Sequence, residues 1–534
     1  VEAAARQYFG KPVEAVTLSE AALLAGLTRA PNANEPINNP RNALVRRDIV
    51  LNQMVERDFI TEAEADRARA ERVIEAVARR DARAAELAPA RLRQNWRAPY
   101  YVAAVRGELL NRFTNTALVP PSAAGGTEAD QRDALFTEGF EVVTSLDPRL
   151  QTAAEDTLFA ALDAFDARKR ADLERAGRTD EFVPVSGALV CIDNRPGQEG
   201  LVRALVGGRD FLRDEFSTAT QARRQPGSSV KPFVWAAAIG SGLTPSTIVV
   251  DSPLQRVGGG GSIWAPQNFD GEFHGPVPIR YALEKSFNIV AIKLAERVGM
   301  PLVRSYMQSC GIRSPIDDVV GLTIALGTPE ITVLEQAVAY STFANLGVRY
   351  DPVLIAQIND RDGVPRFDYR TQRRYKQAID PKVAYVVTHM LEGVCTPEAG
   401  YYPTGHRTSR LGRPRAGKTG TTNNSRNVWF CGYTPQFTTV VWVGYRDNRP
   451  LGRGVDYTGG RLACPIWTDF MIAAHEGLPA EAFAVPPGIE FHNIDRFTGV
   501  AGGPYREAYI TGTRPPRPAP PDPDLDAGLL LGEL

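Results

Sequence analysis

The sequence predicts an α+β protein built from several domains. Its 534 residues are enough for roughly three or four domains of about 150 residues each. The hydrophobic share of 43% and the charged share of 23% are those of a chain that buries cores. Helical patterns fill the first 80 residues, whereas β-rich runs joined by short turns occur further along. We therefore expect a helical segment followed by a mixed region of helices and sheet.

Charge and residue counts exclude several classes of function. The formal net charge of -1 lacks the basic excess of a nucleic-acid binder. The 5 cysteines are scattered without a C-x-x-C pair and are expected to be buried free thiols. The 5 histidines are isolated, so we predict neither a metal site nor a cofactor. The chain contains no run of about 18 apolar residues and begins without Met, so we expect a membrane anchor upstream of it.

Two capping boxes mark helices near the start of the chain. Thr17 with Glu20 opens an alanine- and leucine-rich run, and Thr61 with Glu64 opens a second helix. Between them, the pair at 39–40, Asn-Pro, can begin another helix. Residues 1 to 80 are thus predicted to be helical.

A linker and a domain boundary follow the helical segment. Arginines and acids alternate from about 67 to 97, which is typical of a solvated helix and linker. Residues 140–144 predict a strand, and Asp147 followed by Pro148 predicts the N-terminus of a long helix. The boundary into the large domain is therefore placed near residue 140.

Two β-hairpins are predicted inside the large domain. The runs 187–192 and 201–206 form the first, and the runs 428–433 and 438–445 form the second. Lys418 precedes the second hairpin closely enough to lie on an adjoining strand at the sheet edge.

Three short motifs carry candidate chemistry. Ser228 and Lys231 stand three residues apart at the start of a helix, where such neighbours share one face, so the lysine can reach the serine hydroxyl. The step 286–288, Ser-Phe-Asn, separates two apolar helical runs, and 418–420 reads Lys-Thr-Gly. Each motif alone matches an ordinary cap or turn. In this order, however, S-x-x-K, S-x-N and K-T-G are the signature of serine acyl-transferases that handle penicillin.

The chain resembles the class A, bifunctional penicillin-binding proteins over most of its length. Residues 224–233 (RQPGSSVKPF) and 416–423 (AGKTGTTN) carry the resemblance in the large domain. Residues 4–11 (AARQYFGK) and 18–26 (LSEAALLAG) resemble the C-terminal end of that family's lysozyme-like glycosyltransferase domain. The family's catalytic glutamates lie upstream of these phrases. The resemblance thus implies no glycosyl transfer by this fragment, although the full-length precursor is expected to be a glycosyltransferase as well.

The resemblance also implies a fold and a division into domains. The fold is the penicillin-binding transpeptidase, or serine β-lactamase-like, type: an antiparallel sheet flanked by helices, with the site between the sheet edge and a helical lobe. The helical remnant of the glycosyltransferase domain precedes it. We expect that remnant at 1–80, a linker at 81–139, the transpeptidase domain at 140–490 and a C-terminal extension at 491–534. The chain turns proline-rich after about residue 490 and is expected to be a disordered tail there.

Chemistry and resemblance together give the catalytic roles. A serine hydroxyl needs a base, and a lysine whose charge is suppressed by burial or by cationic neighbours can serve, so Ser228 is the expected nucleophile and Lys231 its base. The resemblance implies that Ser286 relays protons and that Asn288 orients Lys231 and the substrate peptide.

Substrate binding is assigned to the third motif. Lys418 is expected to stay cationic and to attract the terminal carboxylate of a D-Ala-D-Ala stem, with the Thr419 and Thr421 hydroxyls as donors. Gly420 removes a side chain where something must approach the backbone closely. The resemblance supplies the amides of Ser228 and Thr421 as the oxyanion hole.

The resulting function is peptidoglycan cross-linking through an acyl-enzyme. The expected partners are stem peptides and the lipid-linked precursor, with β-lactams as covalent inhibitors and cell-wall synthesis regulators as further partners. The expected location is the periplasm or the extracytoplasmic face of the cytoplasmic membrane. The family often carries acids where this chain has Asn424 and Asn427, which removes a local charge pairing, for example with Arg426.

Two alternatives remain open at this point. A β-lactamase or D,D-carboxypeptidase would share the acylation machinery but send water to the acyl-enzyme; Glu284 stands four residues before Asn288, yet no separate deacylating glutamate motif is present. A sensor or binding module would acylate once or not at all. Release of D-alanine with formation of a cross-linked dimer distinguishes the transpeptidase from both.

Overall fold

The computed structural model describes residues 2–28, 34, 36, 39–75, 77, 97–112, 135, 139–257 and 263–517. Most of the predicted linker at 81–139 and the end of the predicted tail, 518–534, lie outside these residues. The chain divides into two compact units, Val1–Arg97 and Ala98–Leu534.

The first unit is helical in its described part, as predicted. Both capping boxes are formed: the Thr17 hydroxyl accepts from the backbone N–H of Glu20 while the Glu20 carboxylate accepts from that of Thr17, and Thr61 and Glu64 repeat the arrangement. Each box satisfies two N–H groups that a helix start would otherwise leave unpaired. The helices are α1 (Glu2–Phe9), α2 (Leu18–Leu27), α3 (Pro40–Glu56) and α4 (Glu62–Ala70).

The second unit mixes helices and antiparallel strands. Its main helices are α5 (Pro99–Arg112), α6 (Pro148–Arg175), α7 (Lys231–Gly240), α8 (Ile279–Lys285), α9 (Asn288–Val298), α10 (Met300–Ser309), α11 (Val333–Ala344), α12 (Tyr369–Gln372), α13 (Pro381–Cys395) and α14 (Ala463–Ala474). Its strands are β1 (Glu141–Thr144), β2 (Ser186–Asp193), β3 (Val202–Val206), β4 (Ile248–Asp251), β5 (Arg256–Val257), β6 (Ile263–Trp264), β7 (Gly275–Pro278), β8 (Val348–Tyr350), β9 (Ile355–Asn359), β10 (Pro365–Asp368), β11 (Tyr375–Gln377), β12 (Ala416–Thr421), β13 (Asn427–Tyr433), β14 (Phe437–Gly444), β15 (Ile489–Ile494) and β16 (Tyr505–Ile510).

A five-stranded antiparallel sheet lies at the centre of this unit, in the order β12-β13-β14-β2-β3. Both predicted hairpins belong to it, β2 with β3 and β13 with β14. The edge strand β12 pairs with β13 so that Lys418 lies opposite Cys431. The prediction of Lys418 on an edge strand is therefore confirmed.

Both faces of the sheet are buried. Because side chains alternate along a strand, Val440 and Trp442 of β14 join the core that includes helices α7, α11 and α13, whereas Val441 and Val443 join the core that includes α6 and α14. Helix α6 begins as predicted, because the Asp147 carboxylate accepts from the N–H groups of Arg149 and Leu150. The result is a sheet with helices on both faces, with β12 free on one edge.

One expectation for the C-terminal region is wrong. The segment after residue 490 does not start a disordered tail; β15 and β16 pair along their whole lengths as an antiparallel hairpin. Ile494 of β15 and Ala508 and Tyr509 of β16 are buried, so the hairpin packs against the rest of the unit. We call residues 489–510 the C-terminal hairpin.

The five cysteines are all buried and free, as expected. Within the described part of the chain no helix is both long and apolar enough to cross a membrane.

Candidate active site

Ser228 lies in a tight turn just before helix α7. The turn, Gly227–Val230, is a 3₁₀ segment that packs on strand β12. Gly227 has φ +56, and a Cβ atom there would stand 2.6 Å from the Thr421 carbonyl oxygen, so only glycine fits. Ser228 is partly exposed, and its Oγ has no hydrogen-bond partner among the residues that the structure describes. Its hydroxyl is therefore not engaged by the described part of the protein.

The neighbouring Ser229 is, by contrast, fixed in the interior. Its Oγ donates to Pro226 O at 2.8 Å and accepts from Gln336 Nε2 at 3.0 Å, and its carbonyl oxygen accepts from Tyr340 OH at 2.6 Å. These bonds hold the turn rigidly against α11. They also single out Ser228 as the serine available for chemistry.

Lys231 is fully buried in the first turn of α7. Its Nζ lies 2.6 Å from Ser286 O, 2.7 Å from Asn288 Oδ1 and 3.3 Å from Ser286 Oγ. The expected contact with the Ser228 hydroxyl is not among its hydrogen bonds, because the side chain is held by the S-x-N segment. Burial, and next the charge of Lys418, holds the pKa of Lys231 well below its ordinary value.

Ser286 connects the two lysines. It follows the last residue of α8 with φ 63 and ψ 38, a left-handed conformation that costs a non-glycine residue roughly 1–3 kcal/mol. Its Oγ lies 2.8 Å from Lys418 Nζ, on the other side from Lys231. The strained backbone thus places one hydroxyl between two buried amines.

Asn288 is oriented by bonds at both ends of its amide. Its Nδ2 donates to Gln267 O at 2.8 Å, which turns Oδ1 toward Lys231. Asn268 supplies the cap of helix α9, because its Oδ1 accepts from the N–H groups of Asn288 at 2.7 Å and of Ile289 at 3.3 Å.

Sequence reasoning missed the residues behind Asn288. Asn268 Nδ2 donates to Asp251 Oδ2 at 2.8 Å, and the same oxygen lies 2.8 Å from His274 Nδ1. The His274 ring stacks on Phe287 with ring centroids 4.1 Å apart. No spacing rule connects these positions along the chain; only the fold brings them together.

Lys418 is also fully buried, on strand β12. Besides Ser286 Oγ, its Nζ contacts Thr419 O at 3.2 Å and Thr419 Oγ1 at 3.4 Å. Burial lowers its pKa to about 7. Burial thus works against the cationic form that Lys418 is expected to keep.

The rest of the K-T-G strand packs against the serine turn. A Cβ on Gly420 would collide with Pro226 O, so this glycine permits the close approach of β12 to the turn. Thr421 Oγ1 accepts from Gly459 N at 3.1 Å and keeps its own proton to donate. Thr419 is nearly buried, with its hydroxyl beside Lys418.

Glu284 does not face the cleft. It is fully buried, and its Oε1 accepts from Arg280 Nη1 at 2.5 Å while Oε2 accepts from Arg496 Nε at 2.9 Å and from Tyr401 OH at 2.7 Å. Both oxygens are thus engaged by protein donors.

Amides replace the acids of the family beside β13. Asn427 Oδ1 accepts from Trp442 Nε1 at 3.0 Å, and Asn427 Nδ2 donates to Asn448 Oδ1 at 2.9 Å. Arg426 donates to Asn448 O at 3.0 Å. Hydrogen bonds to amide oxygens therefore hold this corner, one of them donated by the Arg426 guanidinium.

The arrangement suits nucleophilic acyl transfer. A partly exposed serine stands at a helix start, and two lysines with lowered pKa values flank a second serine behind it. Within the described residues no group of three or more histidine, cysteine or acidic side chains could hold a metal ion.

Comparison with known proteins gives matches over both units. Residues 187–471 match the family model described as the penicillin binding protein transpeptidase domain, and residues 1–55 match the transglycosylase model. Penicillin-binding protein 1A of Neisseria lactamica is 33% identical over 91% of this chain and 68% of its own length. Penicillin-binding protein 1A of Pseudomonas aeruginosa is 28% identical over 97% of this chain and 76% of its own length.

Solved structures agree with these matches. The crystal structure of penicillin-binding protein 1A from Haemophilus influenzae superposes with a TM-score of 0.71 at 25% identity, covering 97% of this chain and 89% of that one. PonA1 from Mycobacterium tuberculosis, in complex with penicillin V, superposes with a TM-score of 0.58 at 28% identity, covering 76% of this chain and 98% of that one.

Proposed function

The chain belongs to the class A penicillin-binding proteins and is a penicillin-binding D,D-transpeptidase that carries a transglycosylase fragment, and from this premise we propose that Ser228 is its acylated nucleophile. The observation that carries the proposal is the partly exposed Ser228, whose Oγ has no hydrogen-bond partner among the described residues, one helical turn before a buried lysine of lowered pKa.

Lys231 is the base in this proposal. A neutral amine has two N–H donors and one lone pair, and its two shortest contacts, to Ser286 O and Asn288 Oδ1, use both donors. The lone pair is then left for the proton of Ser228. Burial and the neighbouring Lys418 favour this neutral form, which is the form that a base requires.

Acylation begins when Ser228 Oγ attacks the carbonyl carbon of the penultimate D-alanine and its proton passes to Lys231. The amides of Ser228 and Thr421 hold the oxyanion, as the family resemblance suggests. The peptide C–N bond then breaks, and the leaving D-alanine amine takes the proton through the Ser286 hydroxyl, which lies 3.3 Å from Lys231 Nζ. The product is an ester on Ser228.

The second half of the reaction reverses these transfers. An amine of a neighbouring stem peptide attacks the ester and gives its proton through Ser286 to Lys231. The new amide bond forms as the ester C–O bond breaks, and Lys231 returns a proton to Ser228 Oγ. Before acylation, when the terminal D-alanine is still attached, the carboxylate of the donor is held by Lys418 with the Thr419 and Thr421 hydroxyls. A bound carboxylate favours the protonated form of Lys418, because an opposite charge stabilises a buried cation.

We propose the same site as the target of β-lactams, which mimic the donor and acylate Ser228. Glu284 is buried and both its oxygens are engaged, so it is not available as a base that would activate a deacylating water. That observation favours the transpeptidase over the β-lactamase alternative.

The surrounding assignments are proposals of the same kind. The substrates are peptidoglycan stem peptides on the lipid-linked precursor, at the extracytoplasmic face of the cytoplasmic membrane. Regulators of cell-wall synthesis are the expected partners. The division at residues 80 and 139 stays a proposal, whereas a boundary at 490 would cut through β15, so the C-terminal hairpin is counted with the second unit; no glycosyl transfer is assigned to residues 1–80.

The test incubates the protein with a donor pentapeptide ending in D-Ala-D-Ala and an amine acceptor, and measures released D-alanine and cross-linked dimer. We expect release of D-alanine together with a cross-linked dimer, and loss of both in Ser228→Ala. Release of D-alanine without dimer would identify a carboxypeptidase, and no release by the folded wild type would identify a sensor.

A further inference from the structure

A buried ionic cluster joins the C-terminal hairpin to the helix that ends at Ser286. Its four charged members are fully or almost fully buried: Arg280 and Glu284 of α8, Arg496 between β15 and β16, and Glu507 of β16. Residues 489–510 lie beyond the matched transpeptidase segment 187–471. The cluster therefore connects helix α8, which ends just before Ser286, to a part of the chain outside the matched segment.

The ion pairs within the cluster form a continuous series from Glu507 to Arg496. Arg280 pairs with Glu507 through Nε and with Glu284 through Nη1, and Glu284 pairs in turn with Arg496. The Tyr505 ring lies between the guanidinium groups, 4.2 Å from Arg280 and 4.9 Å from Arg496. Two positive groups thus face two negative groups in the interior, and Arg496 also pairs through Nη1 with Glu398, whose side chain is exposed.

Two neighbouring residues, His389 and Gly393, accommodate the charge and the volume of the cluster. His389 Nδ1 lies 2.9 Å from Glu507 Oε1, and burial, followed by the charge of Arg280, holds the pKa of His389 well below its ordinary value. The histidine is therefore neutral and leaves the balance of charges unchanged. A Cβ on Gly393 of α13 would collide with Glu284 and Arg280, so a glycine is required there.

The geometry of α8 connects this cluster to the active site. The helix has only 7 residues, Arg280 and Glu284 occupy one of its faces, and Ser286 follows it directly. Ser286 is held in a left-handed conformation that its own residue type does not favour, so surrounding structure must impose it. Arg496 also donates to Gly393 O at 3.0 Å, which fastens the hairpin to α13.

A second connection runs to the substrate strand. Tyr401 OH donates to Glu284 Oε2, and Thr404 Oγ1 lies 3.3 Å from Glu284 O. Gly460 lies between Thr404 and Thr419 of β12, since a Cβ there would stand 2.7 Å from Thr404 O and 3.7 Å from Thr419 Cγ2. The segment 401–404 thus packs between Glu284 and the K-T-G strand.

We propose that Arg496 and Glu507 of the C-terminal hairpin are positioning residues for the transpeptidase reaction, acting through Arg280 and Glu284 to hold Ser286 between its two lysines. They touch neither substrate nor the reacting atoms. This inference rests on the proposed role of Ser228 and Ser286. It assigns a catalytic purpose to the hairpin, whose loss would misplace the proton relay while leaving Ser228 itself in place.

The test compares Arg496→Gln with a matched control, Arg203→Gln. Arg203 pairs at 2.8 Å with Asp193, another fully buried carboxylate, at the far side of the sheet from β12. Each change removes one of two arginine partners of a buried carboxylate, since Glu284 keeps Arg280 and Asp193 keeps Arg195, and each should lower Tm. Acylation by a fluorescent penicillin is followed by stopped flow at a temperature well below both Tm values. Varying the penicillin concentration separates the acylation rate at saturation from the half-saturating concentration.

We expect Arg496→Gln to slow the saturated rate roughly 10- to 100-fold, because misplacing a catalytic group by about 1 Å has effects of that size. The half-saturating concentration should change less than twofold, and Arg203→Gln should leave both constants within twofold. Equal rates in the two variants, with equal losses of Tm, would reduce the cluster to a structural role and overturn the proposal.

A second variant and the penicillin labelling of the wild-type protein complete the test. If Arg496→Gln does not fold, Tyr401→Phe removes only the hydroxyl bonded to Glu284 and should still slow the saturated rate severalfold; an unchanged rate overturns the proposal. Failure of the proposed function is a different result, because then the folded wild type itself would not acquire the penicillin label on Ser228.

Discussion

Replacing Lys418 by methionine should separate two effects of this lysine. Methionine keeps much of the length and apolar bulk but removes the charge and the donor that contacts Ser286 Oγ at 2.8 Å. The first effect is on binding. A hydrogen bond to a charged group contributes about 1.5–3 kcal/mol, so a β-lactam that carries a carboxylate should bind roughly 10- to 150-fold more weakly.

The second effect is on the base. Burial is the larger cause of the low pKa of Lys231, and the charge of Lys418 is the next. Without that charge the protonated form of Lys231 is no longer repelled by Lys418, so the pKa of Lys231 rises. Less neutral base is then present at a given acid pH, and the acid limb of the acylation profile should move to higher pH.

The assay is stopped-flow acylation by a fluorescent penicillin across the acid and neutral range, with rate and affinity separated by titration. Lys293→Met serves as the control, because Lys293 Nζ bonds Val250 O at 2.7 Å and Ser252 Oγ at 2.9 Å, away from Ser286. An unmoved acid limb together with an affinity within twofold of wild type would refute the assignment of Lys418.

Three further predictions concern the same site. Asn288→Ala removes one of the two shortest contacts of Lys231 and should slow acylation at saturation about 10-fold, consistent with about 1.5 kcal/mol; a rate within twofold in stopped flow would contradict it. Because the pKa of Lys418 is about 7, its cation is present below that pH and lost above it. Binding of a carboxylate-bearing β-lactam, measured by competition, should therefore weaken as pH rises through 7, whereas binding of the corresponding carboxylate ester should not change with pH. Equal pH dependence of the two compounds would count against a charge on Lys418. Gly420→Ala sets a methyl group against Pro226 O and should lower the free energy of unfolding by about 1–3 kcal/mol in denaturant melts, along with the acylation rate, whereas a neutral result would show that β12 and the turn are not packed as described.

Much of the fold follows from local rules. Capping boxes at Thr17 and Thr61 and the Asp147 cap act within three residues, so the sequence alone places those helix starts correctly. Alternating β-rich runs around short turns predict both hairpins of the central sheet for the same reason. The order of three motifs indicates which serine and lysines belong together, and their assembly around Ser286 Oγ agrees with that expectation.

The features that sequence reasoning missed depend on the tertiary fold. Asn268 caps α9 from a separate loop, and Arg496 reaches Glu284 from the far end of the chain, so no spacing announces either contact. The C-terminal hairpin was hidden because glycines and prolines around its strands are typical of loops. The lowered pKa of Lys418 follows from burial, a quantity that a motif does not contain.

The most direct test of the central claim is to locate the acyl group. The wild-type protein is treated with penicillin, digested, and analysed by tandem mass spectrometry, which distinguishes Ser228 from the adjacent Ser229. We predict one penicilloyl group per chain, carried on Ser228, and an unmodified mass for folded Ser228→Ala. An adduct on Ser229 or elsewhere, or the same yield of adduct in Ser228→Ala, would contradict the account.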